Sequence, residues 1–272
     1  MPSIRPSART CLLASWIVAS CGSTSGEPAA TPVRVAAAAD LTAAFGELGP
    51  LFERASGRRV TFTFGSSGLL ARQLREGAPF DAFAAANHAF VDDVVRAGAC
   101  LGATKVRYAR GRIVVWSRRS STAARPRTLA ELTDARFRRI AIANPEHAPY
   151  GVAAKQALEA AGVWDTVRPR LVFGENVRQT LQFAETGNVE VAIVALSIAI
   201  PARDGDWFVV DEGLHRPLDQ ALVVCRRGAA VEGGRAFARF VAAPAGRNVM
   251  RRFGFVLPGE TIVGFHDRAV RP

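Results

Sequence analysis

The chain has 272 residues, enough for one large domain or two ordinary ones with proper cores, and 49% hydrophobic with 22% charged residues excludes disorder as its main state. With 24 glycines and 15 prolines it is not a low-complexity chain either. The formal charge of +11 rests almost wholly on arginine, since Lys105 and Lys155 are the only lysines, and these basic residues are scattered among acids, so no nucleic-acid partner is expected.

At the N-terminus, Arg5 and Arg9 precede an apolar stretch from Cys11 to Ala19, too short to span a bilayer as a helix, which reads as an export signal. It ends in Val18-Ala19-Ser20-Cys21, similar to the lipobox of bacterial lipoproteins, where the cysteine is lipidated and becomes the new N-terminus. Residues 1–21 are therefore expected to be a lipoprotein-type signal segment with Cys21 as the lipidation site, and 22–32 a flexible tether of Ser, Thr, Gly, Pro and Ala. An ordinary signal peptide cut a few residues later is the alternative. Either way the body is expected in the periplasm or at the cell surface, and in the lipoprotein reading it touches a membrane through the lipid anchor only.

After the tether, short apolar runs alternate with amphipathic segments. Val33 to Ala39 reads as a strand, and Leu41 to Ser56 as a helix with Leu41, Phe45, Leu48 and Phe52 at helical spacing, stopped by Gly57. Val60 to Phe64 alternates as a second strand, a helix follows Gly65-Ser66-Ser67-Gly68 to about Glu76, and Phe80 to Ala86 is apolar enough for a buried parallel strand. Arg112 to Trp116, Ile140 to Ala143, Leu171 to Phe173, Glu190 to Ala195 and Leu222 to Cys225 continue the strands. Helices are expected near Pro149 to Ala161 and Asn176 to Thr186, with one terminal helix from about Gly234 to Phe253. This alternation marks an α/β protein, and about nine strands fit two sheets better than one.

With Cys11 leaving in the signal and Cys21 serving as anchor, Cys100 and Cys225 remain; a disulfide between them is permitted in an exported protein, but the sequence does not decide it. His88, His147, His215 and His266 show no metal-ligand spacing, so neither a structural nor a catalytic metal is expected.

Several strand-to-helix junctions carry residues that leave backbone N–H groups free at a helix N-terminus, a ready anion site. They are Ala39-Asp40-Leu41-Thr42, Gly65-Ser66-Ser67-Gly68, the run Asn144 to Gly151 with Pro149 at a first helical position, and Gly174-Glu175-Asn176-Val177. One such loop is weak evidence, because a serine there is more often a simple cap.

From Val33 to Pro258 the chain resembles the molybdate-binding component of bacterial ABC importers, on AAAADL at 36–41, TFGSSG at 63–68, GAPFDAF at 77–83, NPEHAPYG at 144–151, GENVRQTLQF at 174–183 and RRFGFVLP at 251–258. The resemblance implies a two-lobed periplasmic-binding-protein fold of type II, with two mixed sheets flanked by helices and a hinge crossed twice, near 109–111 and 216–218. Lobe 1 would comprise 33–110 and 217–272, and lobe 2 residues 111–216. It implies no enzyme and no cofactor, but a monomer that captures molybdate, and tungstate with it, and delivers the ion to a permease and its ATPase.

Carried over residue by residue, Ser67 matches a serine donating hydroxyl and backbone N–H, while Tyr150 and Val177 match backbone donors. These three would touch oxygens of molybdate, not a bare metal ion. Ala39 and Asp40 fall in the first loop, where better-known members have Ser, or Thr followed by Asn. A tyrosine that one branch places near Ala195 is missing, which aligns the chain with the branch carrying the APYG loop.

Asp40 is the departure. As an N-cap it would turn its oxygens toward the N–H groups of Thr42 or Ala43. Alternatively, a carboxylate that accepts a proton from hydrogen phosphate would make the chain a binding protein for phosphate or another tetrahedral oxyanion. A secreted hydrolase using Asp40, Ser67 and His147 is a remote third reading, since GSSG is not the GxSxG elbow.

Overall fold

The computed structural model describes residues 31–121 and 125–260; the signal segment, Cys21 and nearly all of the tether lie outside the described residues. Two five-stranded sheets organise the chain. The first contains β1 (Val33–Ala38), β2 (Val60–Gly65), β3 (Ala82–Ala85), β4 (Val106–Gly111) and β10 (Leu218–Val224), in the order β2-β1-β3-β10-β4. Strands β1, β2 and β3 are parallel, while β10 runs antiparallel to both β3 and β4. The second contains β5 (Ile113–Arg118), β6 (Ile140–Ala143), β7 (Leu171–Gly174), β8 (Val191–Ala195) and β9 (Gly205–Val209), in the order β7-β6-β8-β5-β9. Here β6 is parallel to β7 and β8, and β5 is antiparallel to β8 and β9.

The chain thus passes from the first sheet to the second at Arg112 and returns between β9 and β10, where Leu218 pairs with Gly111. Both sheets are mixed and helix-flanked, as the α/β alternation implies. Central strands such as β3, β6 and β8 are buried on both faces, which is why they read as continuous apolar runs rather than alternating ones.

The helices are α1 (Thr42–Ser56), α2 (Ser67–Arg75), α3 (His88–Arg96), α4 (Pro149–Ala160), α5 (Trp164–Val167), α6 (Val177–Glu185), α7 (Leu196–Ala199), α8 (Val231–Ala242) and α9 (Pro244–Arg252). Gly57, at φ 68°, ends α1 in the left-handed conformation that favours glycine. Phe45 and Phe52 of α1 meet Phe237 of α8 edge-on at 5.4 and 5.3 Å, tying both helices over the first sheet.

The single terminal helix expected from 234 to 253 is two. Pro244 cannot donate its nitrogen to a preceding turn, and Ala243 before it is extended at ψ 163°, so α8 stops and α9 restarts with proline at its first position. Helix α3 and the five-residue edge strand β9 went unread in the sequence, and the last strand begins at Leu218 rather than Leu222. Cys100 and Cys225 sit opposite each other in an antiparallel bridge and form a disulfide. Among the described residues no helix is long and apolar enough to cross a membrane, and no three His, Cys, Asp or Glu side chains gather as a metal site.

Candidate anion-binding site

Four chain segments leave their strands toward one point. A short 3-10 turn, Ala39–Leu41, follows β1; α2 follows β2; α4 follows β6; α6 follows β7. Their first turns enclose a cavity of about 10 Å³, measured by the centre of a water-sized occupant, and Ala39, Asp40, Ser67, Tyr150 and Val177 all line it. Loops of both sheets contribute, and no lysine or arginine is among the lining residues. Anything larger than a few atoms requires the loops to part.

Local sequence explains each exposed turn. Pro149 opens α4 after the extended Ala148, and the N–H groups of Gly151 and Val152 both turn back to the Ala148 carbonyl, leaving Tyr150 at the mouth of the helix. The Asn176 side chain accepts from the N–H groups of Arg178 and Gln179, which leaves Val177 as the uncapped position of α6. Ser67 opens α2, and its Oγ accepts the N–H of Ala86 at 3.0 Å, so one lone pair is used and its own O–H proton stays available.

The two halves touch beside the cavity. The His147 carbonyl accepts both the Ser66 hydroxyl, at 2.5 Å, and the Gly68 N–H, at 3.0 Å, while His147 Nδ1 lies 2.9 Å from Ser66 Oγ. A Cβ on Gly68 would stand 2.6 Å from that carbonyl oxygen, so only glycine permits this approach.

Asp40 does not cap α1, contrary to the sequence-based expectation: the helix starts without any side-chain cap. Its fully buried carboxylate instead accepts from the Tyr150 hydroxyl at 2.9 Å and Gln220 Nε2 at 2.6 Å, both on Oδ2. The competing partners win because Tyr150 and Gln220 reach Asp40 from other elements where water cannot. Ser197 in α7 donates to the Asp40 carbonyl at 2.7 Å. Burial pushes the Asp40 carboxyl up to about 6, with the hydrogen bonds from Gln220 and Tyr150 pulling the other way. Burial, and then the charge of Asp40, raise Tyr150 and Tyr108 well above the usual phenol range.

No triad exists here. Ser67 Oγ faces the Ala86 N–H, His147 partners Ser66, and Asp40 partners Tyr150 and Gln220. Sequence reasoning missed Gln220, Tyr108 and Ser197, each distant in the chain from the loops and carrying no motif. A ring of helix starts lined by small residues and by Ser66 and Ser67, with no cation in it, can surround an anion with N–H and O–H donors. A larger open depression of about 460 Å³ near Arg107, Arg110 and Asp219 lacks such convergence, and Arg110 and Asp219 are paired with each other at 2.7 Å.

Residues 33–256 match the family model for bacterial extracellular solute-binding proteins. The chain is 34% identical over 228 residues to the molybdate-binding protein ModA of Rhodobacter capsulatus, covering 84% of this chain and 89% of that one. It is 32% identical over 235 residues to ModA of Azotobacter vinelandii, covering 84% and 91%. The solved periplasmic molybdate-binding protein of A. vinelandii superposes with a TM-score of 0.77 at 27% identity, over 83% of this chain and 99% of that one. The two mixed sheets, the twice-crossed connection and these likenesses together place the chain in the family of bacterial extracellular solute-binding proteins.

Proposed function

We propose that the protein is the extracytoplasmic substrate-binding component of an ABC importer, capturing molybdate, and tungstate with it, and handing the ion to a permease driven by an ATPase. It is a binding protein and not an enzyme. The observation that carries this reading is the convergence of helix starts from both sheets on one cavity with no basic side chain in its wall. Ala39, Asp40, Ser67, Tyr150 and Val177 are the ligand-binding residues in this reading, with Ser67 giving hydroxyl and N–H and Tyr150 and Val177 giving backbone N–H groups. The names of the relatives support molybdate as the ion.

The energetics are adequate without a cation. Nanomolar capture needs about 12 kcal/mol. Hydrogen bonds to a charged group contribute about 1.5 to 3 kcal/mol each, so six or seven in a dry cleft reach that scale after ordering costs. In this reading the described residues of 33–110 with 217–260 make one lobe and those of 111–216 the other, closing about the strands near 109–111 and 216–218. The contact of Ser66 and Gly68 with His147 supports a closed state of this kind. The body works as a monomer, tethered to a membrane by lipid on Cys21.

Calorimetric titration with molybdate, tungstate, sulfate and phosphate tests the reading. Molybdate and tungstate should bind tightly and the other two weakly or not at all. Tight binding of phosphate with no response to molybdate would replace this reading with the phosphate one.

A further inference from the structure

The two oxygens of Asp40 are unequal. Oδ2 accepts from Gln220 Nε2 at 2.6 Å and from the Tyr150 hydroxyl at 2.9 Å, whereas Oδ1 is buried with no hydrogen-bond donor from another residue. The asymmetry is held from behind. The Tyr108 hydroxyl donates to Gln220 Oε1 at 2.7 Å, which turns Nε2 toward Asp40, and Nε2 also reaches the Tyr150 oxygen at 3.2 Å. Both protons of that amide are thereby used, and none is left for Oδ1. Asp40 is also the single acidic residue lining the cavity.

A buried acceptor without a donor is costly, and it is relieved in one of two ways: a neighbour donates to it, or it takes a proton and becomes a donor itself. A fully deprotonated oxyanion has no proton to give. With such an ion in the cavity, only protonation satisfies the carboxyl and the ion together. We infer that capture of the oxyanion is coupled to uptake of one proton by Asp40, on Oδ1, so that the residue meets the ligand as a neutral donor instead of a second anion. This rests on the oxyanion reading of the cavity. The new O–H bond takes its proton from solvent or buffer before closure, no bond to the ligand forms, and one negative charge fewer is enclosed.

The surroundings agree. Burial already raises this carboxyl to about 6, and an enclosed dianion raises it further. The titratable groups facing Asp40 are Tyr150 from α4 and Tyr108 from β4, both held neutral well above the ordinary phenol value. On α6, Arg178 and Glu185 are paired with each other, and on α1 Glu47 is paired with Arg252. Strand β2 and helix α7 carry no charge, and His147 is engaged with Ser66. No cation therefore holds Asp40 ionised.

The sign follows from linkage. In an open, solvated site the carboxyl titrates lower, nearer the ordinary carboxylate value, than in the closed site, where burial holds it at about 6 and an enclosed dianion pushes it up further. Between these values the loaded form holds one more proton, so affinity rises as pH falls, by up to about tenfold per unit, and levels off below the open-state value. Titration of the protein with sodium molybdate from pH 5.5 to 8, repeated in buffers of different ionisation enthalpy, counts the protons directly. The native chain should take up a fraction of a proton near pH 7 that grows as pH falls toward 6, with Kd tightening over the same range by at most about tenfold per unit. Asp40→Asn should bind with pH-independent affinity and no uptake. Tyr150→Phe, which loses a donor favouring the carboxylate, should move the uptake to higher pH and stands as the second variant if Asp40→Asn does not fold. Molybdate binding with no buffer dependence overturns the proton coupling and leaves the oxyanion reading standing, uptake that persists in Asp40→Asn overturns the assignment to Asp40, and absence of molybdate binding at every pH overturns the oxyanion reading itself.

Discussion

Ser67 meets two demands with one hydroxyl: its oxygen accepts the buried Ala86 N–H at 3.0 Å, and its proton is left for whatever occupies the cavity. Ser67→Ala therefore removes the hydroxyl donor proposed for the ligand and strands a backbone N–H. Molybdate affinity should fall by about 1.5 to 3 kcal/mol, roughly ten- to a hundredfold, and stability by about 1 to 3 kcal/mol, with the fold retained. Calorimetry and thermal melting measure the two losses separately. Affinity equal to that of the native chain would remove Ser67 from the site. Asp40 shows the limit of reading at this scale. An aspartate before a helix is most simply a cap, and its actual partners, Tyr150 and Gln220, lie 110 and 180 residues away in sequence.

Between elements, α2 meets the loop preceding α4 beside the cavity. Gly68 donates its N–H to the His147 carbonyl at 3.0 Å, and an added Cβ would sit 2.6 Å from that oxygen. Gly68→Ala should hold the loops apart and cost about 1 to 3 kcal/mol of binding, at least several-fold in Kd, while leaving the melting of the ligand-free protein nearly unchanged because alanine is the better helix former. Titration together with small-angle scattering of the loaded protein checks it. Affinity and loaded dimensions matching the native chain would mean that capture does not need this approach.

Across the whole molecule, the Cys100–Cys225 disulfide joins the residue after β10 to the segment after α3 and closes a loop of 125 residues that contains the entire second sheet. By chain entropy such a loop contributes about 5 kcal/mol, which in a protein of this size corresponds to roughly 10 to 20 °C in melting temperature. Reduction, or the double change Cys100→Ala with Cys225→Ala, should lower the melting point on that scale and leave molybdate affinity unaltered, because neither cysteine lines the cavity. A melting point that stays put would show that the core of the first sheet holds without the link.

Much of this architecture was legible from local pattern. Strand β6 and the proline-led α4 follow from apolar runs and from a proline where a first turn wants one, since such signals act over a few residues. The loops at 39–40, 67, 150 and 177 were legible for the same reason, as helix starts able to leave N–H groups free. The break at Pro244 was equally local and was passed over in favour of the longer helical pattern. By itself the sequence determined the alternation of strands and helices, and hence a set of separate donor turns. Only tertiary structure brought those turns around one cavity, paired Cys100 with Cys225, and set Gln220 and Tyr108 behind Asp40 so that one carboxyl oxygen is saturated and the other bare. The reason is physical: periodicity and caps are properties of neighbouring residues, whereas desolvation and hydrogen-bond competition at a buried carboxyl depend on groups that meet only when the chain has folded.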